Sequence, residues 1–471
     1  MPKSIHTIYM ECMDRGRGLQ VDNWLSRVDR SGPVYLAILK SLEAAIRDGE
    51  LQPGDRLPPQ RTVARQLGVD FTTVTRAYAA ARERGLVEGT VGRGTFVRGR
   101  STDDEAGLVD LGMNLPPPPQ GISLAGLLAE TTGAILAKTD VATLMAYHPG
   151  AGSLGQRTAG AAWLAPCLGT VDPERVLVCA GAQAALAALF AVLVPPGGVV
   201  VTEPLTYPGL ITLAEQSRVE LTPCAVDGEG MVPDALARLC AERRPAAIYC
   251  IPTQQNPAAY TMGEARRRHI AAVAAAAGVP VIEDDAYGRL PAQPLPAIAR
   301  FAPTWHVATL AKCLTPGLRT AFVVAPDAGS AQRAERALRA VSLMPAPLMT
   351  AVAARWIREG VAEDILTGVR AEAVARRAIA GELLLGARGD PESLHVWLDL
   401  PAAWDGARLR SAARDRGLSL VTADSFAVGP ALRNGMRISL GGPPRQAVLR
   451  EALGNVAGIL AGRPERGTAA V

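Results

Sequence analysis

The stretch TLAKCLTPGLRTAF, residues 309–322, carries Lys312, one of four lysines (Lys3, Lys40, Lys138 and Lys312) in a chain of 471 residues that has 45 arginines. Arginine supplies positive charge nearly everywhere else, so charge alone does not explain a lysine here. An amine can lose its proton and attack a carbonyl to form a Schiff base, whereas a guanidinium stays protonated and cannot. Lys312 lies on a polar-flanked turn after the run HVATL (306–310), and Arg319 follows seven residues later behind Pro316-Gly317.

Working outward from this stretch, short β-branched runs alternate with helical patterns. RVLVCA (175–180) precedes GAQAALAALFAVLV (181–194), GVVVTEP (198–204) precedes a helix near 207–217, and AAIYCIP (246–252) precedes EARRRHIAAVAAAAG (264–278), which leads into VPVIEDD (279–285). That alternation predicts an α/β domain with a mainly parallel sheet covered on both faces, with ligands bound beyond the C-terminal strand ends. The unusual residues fall at those ends: Gly181-Ala182-Gln183 where a strand turns into a helix, Asn256 in IPTQQNPAAY, and Asp284 with Tyr287 in VIEDDAYGRL. Backbone N–H groups at 181–183, together with the helix dipole, suit a phosphate. Taken singly, each of these residues is also explained by an ordinary cap or turn.

The length suggests about three domains of ~150 residues. A hydrophobic content of 48% and 20% charged residues are ordinary for a globular protein. The seven cysteines (12, 167, 179, 224, 240, 250 and 313) form no Cys-x-x-Cys pair and no cysteine–histidine cluster, so reduced thiols and no metal site are expected. No apolar run reaches signal-peptide or membrane-span length, which predicts a cytoplasmic protein with no membrane partner. The net charge of +4 is unevenly placed: residues 1–100 hold 16 basic against 11 acidic side chains, and the remainder is close to neutral. An anionic partner is therefore expected at the N-terminal end.

There, PVYLAILKSLEAAIRDGEL (33–51) has helical spacing and is closed by Gly49 and Pro53-Gly54. PPQRTVARQLG (58–68) forms a second, shorter helix ending at Gly68, and DFTTVTRAYAAARERG (70–85) a third, with Asp70 as N-cap and Gly85 at its end. Two helices joined by a tight turn make a helix-turn-helix whose second member suits the major groove. LVEGTVGRGTFVRG (86–99) then predicts a β-hairpin wing. These features delimit a DNA-binding domain at 30–98 and a polar linker at 99–108. A second domain follows at 109–463, its large part about 140–340 and its small α+β part about 345–463. The second domain opens with VDLGMNLPPPP (109–119), a stiff extended segment.

GDRLPPQRTVARQLGV (54–69) followed by TTVTRAYAAARERGLVEGTVGRGTFV (72–97) resembles the winged helix-turn-helix of GntR-family bacterial regulators. The resemblance implies a double-stranded DNA operator as partner, with Arg61, Thr72, Thr73, Thr75, Arg76 and the wing residues Gly92, Arg93 and Gly94 on the DNA side. Family members often have Ser-Arg where this chain has Asp70-Phe71. Residues 109–460 resemble aminotransferases of the aspartate aminotransferase superfamily, with the fold and pyridoxal 5'-phosphate cofactor of that group.

By that resemblance Lys312 holds the cofactor covalently, and Arg319, Thr309, Gly181, Ala182 and Gln183 bind its phosphate. Asp284 pairs with the pyridine nitrogen, Asn256 and Tyr287 with the ring hydroxyl. Tyr207 stacks on the ring, and Tyr147 reaches the phosphate of a neighbouring subunit. Arg437, in NGMRISLGG, grips an effector or substrate carboxylate. The two resemblances in one chain are those of the MocR subfamily, which implies a regulator that senses an amino acid, an amine or a vitamin B6 form and works as a head-to-tail homodimer. An active aminotransferase with an accessory reader, and a cofactor-free dimerisation scaffold, are the alternatives.

Overall fold

The computed structural model describes residues 23–29, 32–47, 50–51, 55–84, 86–90, 94–97, 108–148, 150–429 and 434–462. Gly92 and Arg93 of the wing, linker residues 99–107, and the helix-ending Gly49, Pro53-Gly54 and Gly85 lie outside the described residues. The chain divides into two compact units, one within Met1–Ala106 and Ile122–Glu130, the other within Gly107–Gly121 and Thr131–Val471.

In the first unit, helix α1 (Val34–Arg47) buries Ile38, Leu39, Leu42 and Ala45, the i, i+1, i+4, i+7 stripe of an amphipathic helix. Helix α2 (Gln60–Leu67) stops at Gly68, whose left-handed φ of 60° returns its N–H to the carbonyls of Ala64 and Arg65. Helix α3 (Phe71–Glu83) starts where the Asp70 carboxylate accepts the Thr72 N–H at 2.7 Å, as the sequence predicts. Strands β1 (Val87–Thr90) and β2 (Gly94–Val97) pair antiparallel, Val87 opposite Val97. Trp24, Leu42, Val63, Val74, Tyr78 and Val97 belong to one core. The result is the helix-turn-helix and wing read from the sequence.

The second unit is built on a seven-stranded sheet. Its strands are β3 (Val176–Cys179), β4 (Val199–Thr202), β5 (Glu220–Pro223), β6 (Ala247–Cys250), β7 (Val281–Asp284), β8 (Thr304–Thr309) and β9 (Ala321–Val324), in the order β3-β9-β8-β7-β6-β4-β5. Every pairing is parallel except the two made by β9, which runs against β8 and β3. β9 therefore begins at the edge where the other six strands end, and the turn that precedes it, with Arg319, joins the loops that follow them. A smaller antiparallel sheet contains β10 (His395–Asp399), β11 (Val421–Thr422) and β12 (Gly435–Ser439), with β12 central. Its inner residues Leu398, Met436 and Ile438 share a core with Ala380, Leu449 and Leu453 of the helices Val361–Leu383 and Gln446–Ala461. Among the described residues no helix is long and apolar enough to cross a membrane.

Candidate functional site

Asp284 is the last residue of β7, and Lys312 stands three residues beyond β8. Lys312 is half-buried, and its Nζ donates to the main-chain carbonyl of Asn114 at 2.6 Å. Burial and then the Arg437 guanidinium push the amine down to about 8, against the pull of the Asp284 carboxylate. Burial likewise lifts Asp284 to about 6, although Oδ2 accepts a 2.6 Å hydrogen bond from Tyr249. The other oxygen, Oδ1, is buried without a partner among the described residues.

Opposite this pair, helix α4 (Ala182–Leu193) begins at Gly181, whose φ is +90°. A Cβ there would lie 2.7 Å from Nη2 of Arg319, so only glycine admits the guanidinium to the helix N-terminus. Thr309 closes its own turn: its hydroxyl accepts the Ala311 N–H at 3.1 Å, which shapes the bend that carries Lys312. Tyr207 caps helix α5 (Pro208–Ser217). Its ring needs Gly209, where a Cβ would lie 2.4 Å from the ring and 2.5 Å from Oε1 of Gln183. Burial raises the Tyr207 hydroxyl, the Asp284 carboxylate adds to the rise and the Arg319 guanidinium opposes it.

On the small-sheet side, Arg437 of β12 is buried. Its Nη1 donates to Oδ1 of Asn256 at 2.7 Å, its Nη2 to the carbonyl of Gly112, and its guanidinium carbon lies 4.9 Å from the Phe426 ring centre. Tyr287 is buried and accepts a 2.9 Å hydrogen bond from the Asn114 amide. The structure thus brings Lys312, Asp284, Tyr287, Asn256, Arg319, Tyr207, Arg437 and the 181–183 turn to one edge of the sheet. It leaves Tyr147 77% exposed.

Asn114 and His395 carry no functional mark in the sequence, although Asn114 lies within VDLGMNLPPPP (109–119). The Asn114 amide nitrogen lies 2.9 Å from both Tyr287 Oη and His395 Nδ1, while His395 Nε2 meets the Gln255 carbonyl at 3.0 Å. A carbonyl can only accept, so the proton sits on Nε2 and Nδ1 accepts from Asn114. Burial, followed by Arg437, holds His395 down to about 3, and the ring stays neutral. Nothing local in the sequence marks this pairing across 281 positions.

On the opposite side of β7 from Asp284, Glu283 and Asp285 meet His306, with ligand-type atoms within 4.8 Å of one another. Arg267 lies 3.9 Å from Glu283, and the Glu283 oxygens accept the N–H groups of Ile298 and Ala299. That arrangement locks the sheet with a protein cation already in place.

In the first unit, Arg61 is exposed on α2, and Gly94 approaches Arg56 so closely that a Cβ would lie 2.9 Å from its Nε. On α3, the Thr72 hydroxyl donates to Asp70, and that of Thr75 donates to the Phe71 carbonyl (3.0 Å) and lies 2.9 Å from the Gln60 side-chain amide. Arg76 lies 4.1 Å over the Tyr35 ring, while Thr73 is half-buried.

Residues 34–97 match the family of bacterial regulatory proteins, gntR family, and residues 108–448 match aminotransferase class I and II. Over 445 residues the chain is 29% identical to the uncharacterized HTH-type transcriptional regulator YdeF of Bacillus subtilis, covering 92% of this chain and 95% of that protein. It is 28% identical to the probable rhizopine catabolism regulatory protein MocR of Rhizobium meliloti, covering 70% and 73%. The α-aminoadipate aminotransferase LysN of Thermus thermophilus, solved with N-(5'-phosphopyridoxyl)-L-leucine, superposes with a TM-score of 0.68 at 23% identity, covering 76% of this chain and 92% of that one.

Proposed function

The chain belongs to the MocR subfamily of GntR-family transcription regulators, a winged helix-turn-helix fused to an aminotransferase-like domain, and from that premise we propose that it binds pyridoxal phosphate at Lys312 and regulates transcription in response to an amino acid or amine. One observation carries the reading: an amine lowered to about 8 at the sheet edge, within the field of a carboxylate that has one oxygen unpartnered.

The residues present fit the cofactor. Among the described residues Asp284 Oδ1 lacks a donor, and a protonated pyridine nitrogen is one. Gly181 leaves Arg319 room at the start of α4, where the Ala182 and Gln183 N–H groups suit a phosphate. When bound, the cofactor supplies a carbonyl that condenses with amines and a ring that draws off electrons. Lys312 would provide the holding amine, Tyr207 the stacking surface, and Asn256 and Tyr287 polar contacts at the ring edge. Arg437, whose Nη1 and Nη2 each donate one hydrogen bond, to Asn256 and to the Gly112 carbonyl, keeps its Nε and the remaining Nη protons for an effector carboxylate. An effector amine would compete with Lys312 for that carbonyl, and a lysine set free would carry a charge below about pH 8, so that ligand state would be written as charge at residue 312. Paired half-sites require two readers, so a head-to-tail homodimer acting in the cytoplasm completes the proposal.

Lys312→Arg tests it, because charge is kept while the reactive amine is lost. The variant should fold, fail to be labelled by pyridoxal phosphate and borohydride, bind DNA as the wild type does, and ignore the effector. A preserved effector response would sink the reading. The intact Lys312, Asp284 and Arg437 set also suits catalytic transamination, and turnover of an amino acid with a keto acid would establish that second activity.

A further inference from the structure

The polar side chains at the start of α3 are largely engaged within the protein. Asp70 is held as the N-cap by the Thr72 N–H, the Thr72 hydroxyl donates back to Asp70, the Thr75 hydroxyl is spent on Gln60 and Phe71, and Arg76 lies over Tyr35. Phe71, the first residue of the helix, is 45% exposed. It does not stand alone: with Arg56, Arg61, Gly94 and Thr95 it lines a groove of ≈ 300 Å³ between the start of α2, the start of α3 and the wing strand β2. Two guanidiniums flanking an aromatic ring match a duplex edge, with phosphates on the outside and base edges within. The N-terminal residues of a recognition helix are those that touch base edges, and the apolar feature of a base edge in the major groove is the C5 methyl of thymine.

We propose that Phe71 reads a thymine methyl group in each operator half-site, with Arg56 and Arg61 holding the flanking phosphates. The inference rests on the DNA-binding reading above and names the chemistry of the sequence it selects. Asp70-Phe71 thus recognises DNA by apolar contact, the acidic residue serving the helix and the aromatic one the base.

The test selects duplexes from a random pool with the full-length protein, then replaces each thymine of the selected duplex in turn by deoxyuridine, which removes only the methyl. Wild-type affinity should fall about threefold to fivefold at one position of each half-site. Phe71→Ala should bind the thymine duplex more weakly and be indifferent to that replacement, while Phe71→Leu keeps part of the sensitivity. An unchanged melting temperature shows that the variants fold. Wild-type indifference to deoxyuridine at every position overturns the proposal. So does sensitivity that survives Phe71→Ala and vanishes in Thr73→Ser. Failure of the wild type to select any sequence overturns both the proposal and the DNA-binding reading.

Discussion

Lys312 and Asn114 are joined by a 2.6 Å hydrogen bond from an amine to a main-chain carbonyl 198 positions earlier. The same asparagine meets Tyr287 and His395 through its side chain, so one residue ties the N-terminal segment of the aminotransferase-like domain to the large sheet and to β10 of the small one.

Asn114→Ala should therefore do more than delete a surface amide. It leaves His395 Nδ1 buried without a donor and releases Tyr287, a cost of about 1–3 kcal/mol. Urea unfolding should register that loss together with weaker cofactor binding. Adding His395→Ala should cost less than the sum of the two single variants, because the same contact is removed once; strict additivity would show that the contact contributes nothing.

Cofactor capture should depend on pH through Lys312. Its amine is neutral above about 8 and charged below, so labelling should quicken as pH rises through about 8 and then level off. At pH 7 the neutral fraction is on the order of 100-fold that of an ordinary lysine. Below about 6, Asp284 takes up a proton and loses its charge, and affinity should fall further. Stopped-flow absorbance across pH 5 to 10 would resolve both limbs, and a rate still climbing steeply at pH 10 would contradict the lowered amine.

Gly181→Ala places a methyl 2.7 Å from Arg319 Nη2 at a φ of +90°, so the guanidinium and the helix start must part. Affinity for pyridoxal phosphate should drop about tenfold or more, in line with the loss of a charge-assisted contact. Affinity for pyridoxal, which lacks the phosphate, should change little. Equal losses for both compounds would assign the effect to the fold.

For the reader, Arg61→Ala should weaken binding to all sequences alike and reduce the slope of log affinity against log salt by about 1, the signature of one lost phosphate contact. Titrations at several salt concentrations supply the slope, and an unchanged value would assign Arg61 to base contact or packing.

Much of this protein is legible along its chain. The helix stripe of Ile38, Leu39 and Leu42, the cap at Asp70, the left-handed stop at Gly68 and the strand–helix alternation from Val176 onward follow from periodicity and terminal residues. These are local properties, governed by side-chain direction and by backbone groups a few positions apart. The scarcity of lysine singles out Lys312, and its chemistry follows from residue type alone.

Tertiary structure decided what depends on distances across the chain. The sequence marks Arg319 by its Pro-Gly turn, but only the reversal of β9 in the sheet order places it against Gly181. Asn256 and Arg437 lie 181 positions apart and meet because β12 carries the arginine to the sheet edge. Asn114 and His395 carry no periodic or compositional mark, since a polar side chain becomes part of a buried network only when folding removes the water around it and leaves its partners as the available donors and acceptors. The lowering of Lys312 to about 8 has the same origin: an amine is charged in water, and only its burial beside Arg437 makes the neutral form accessible.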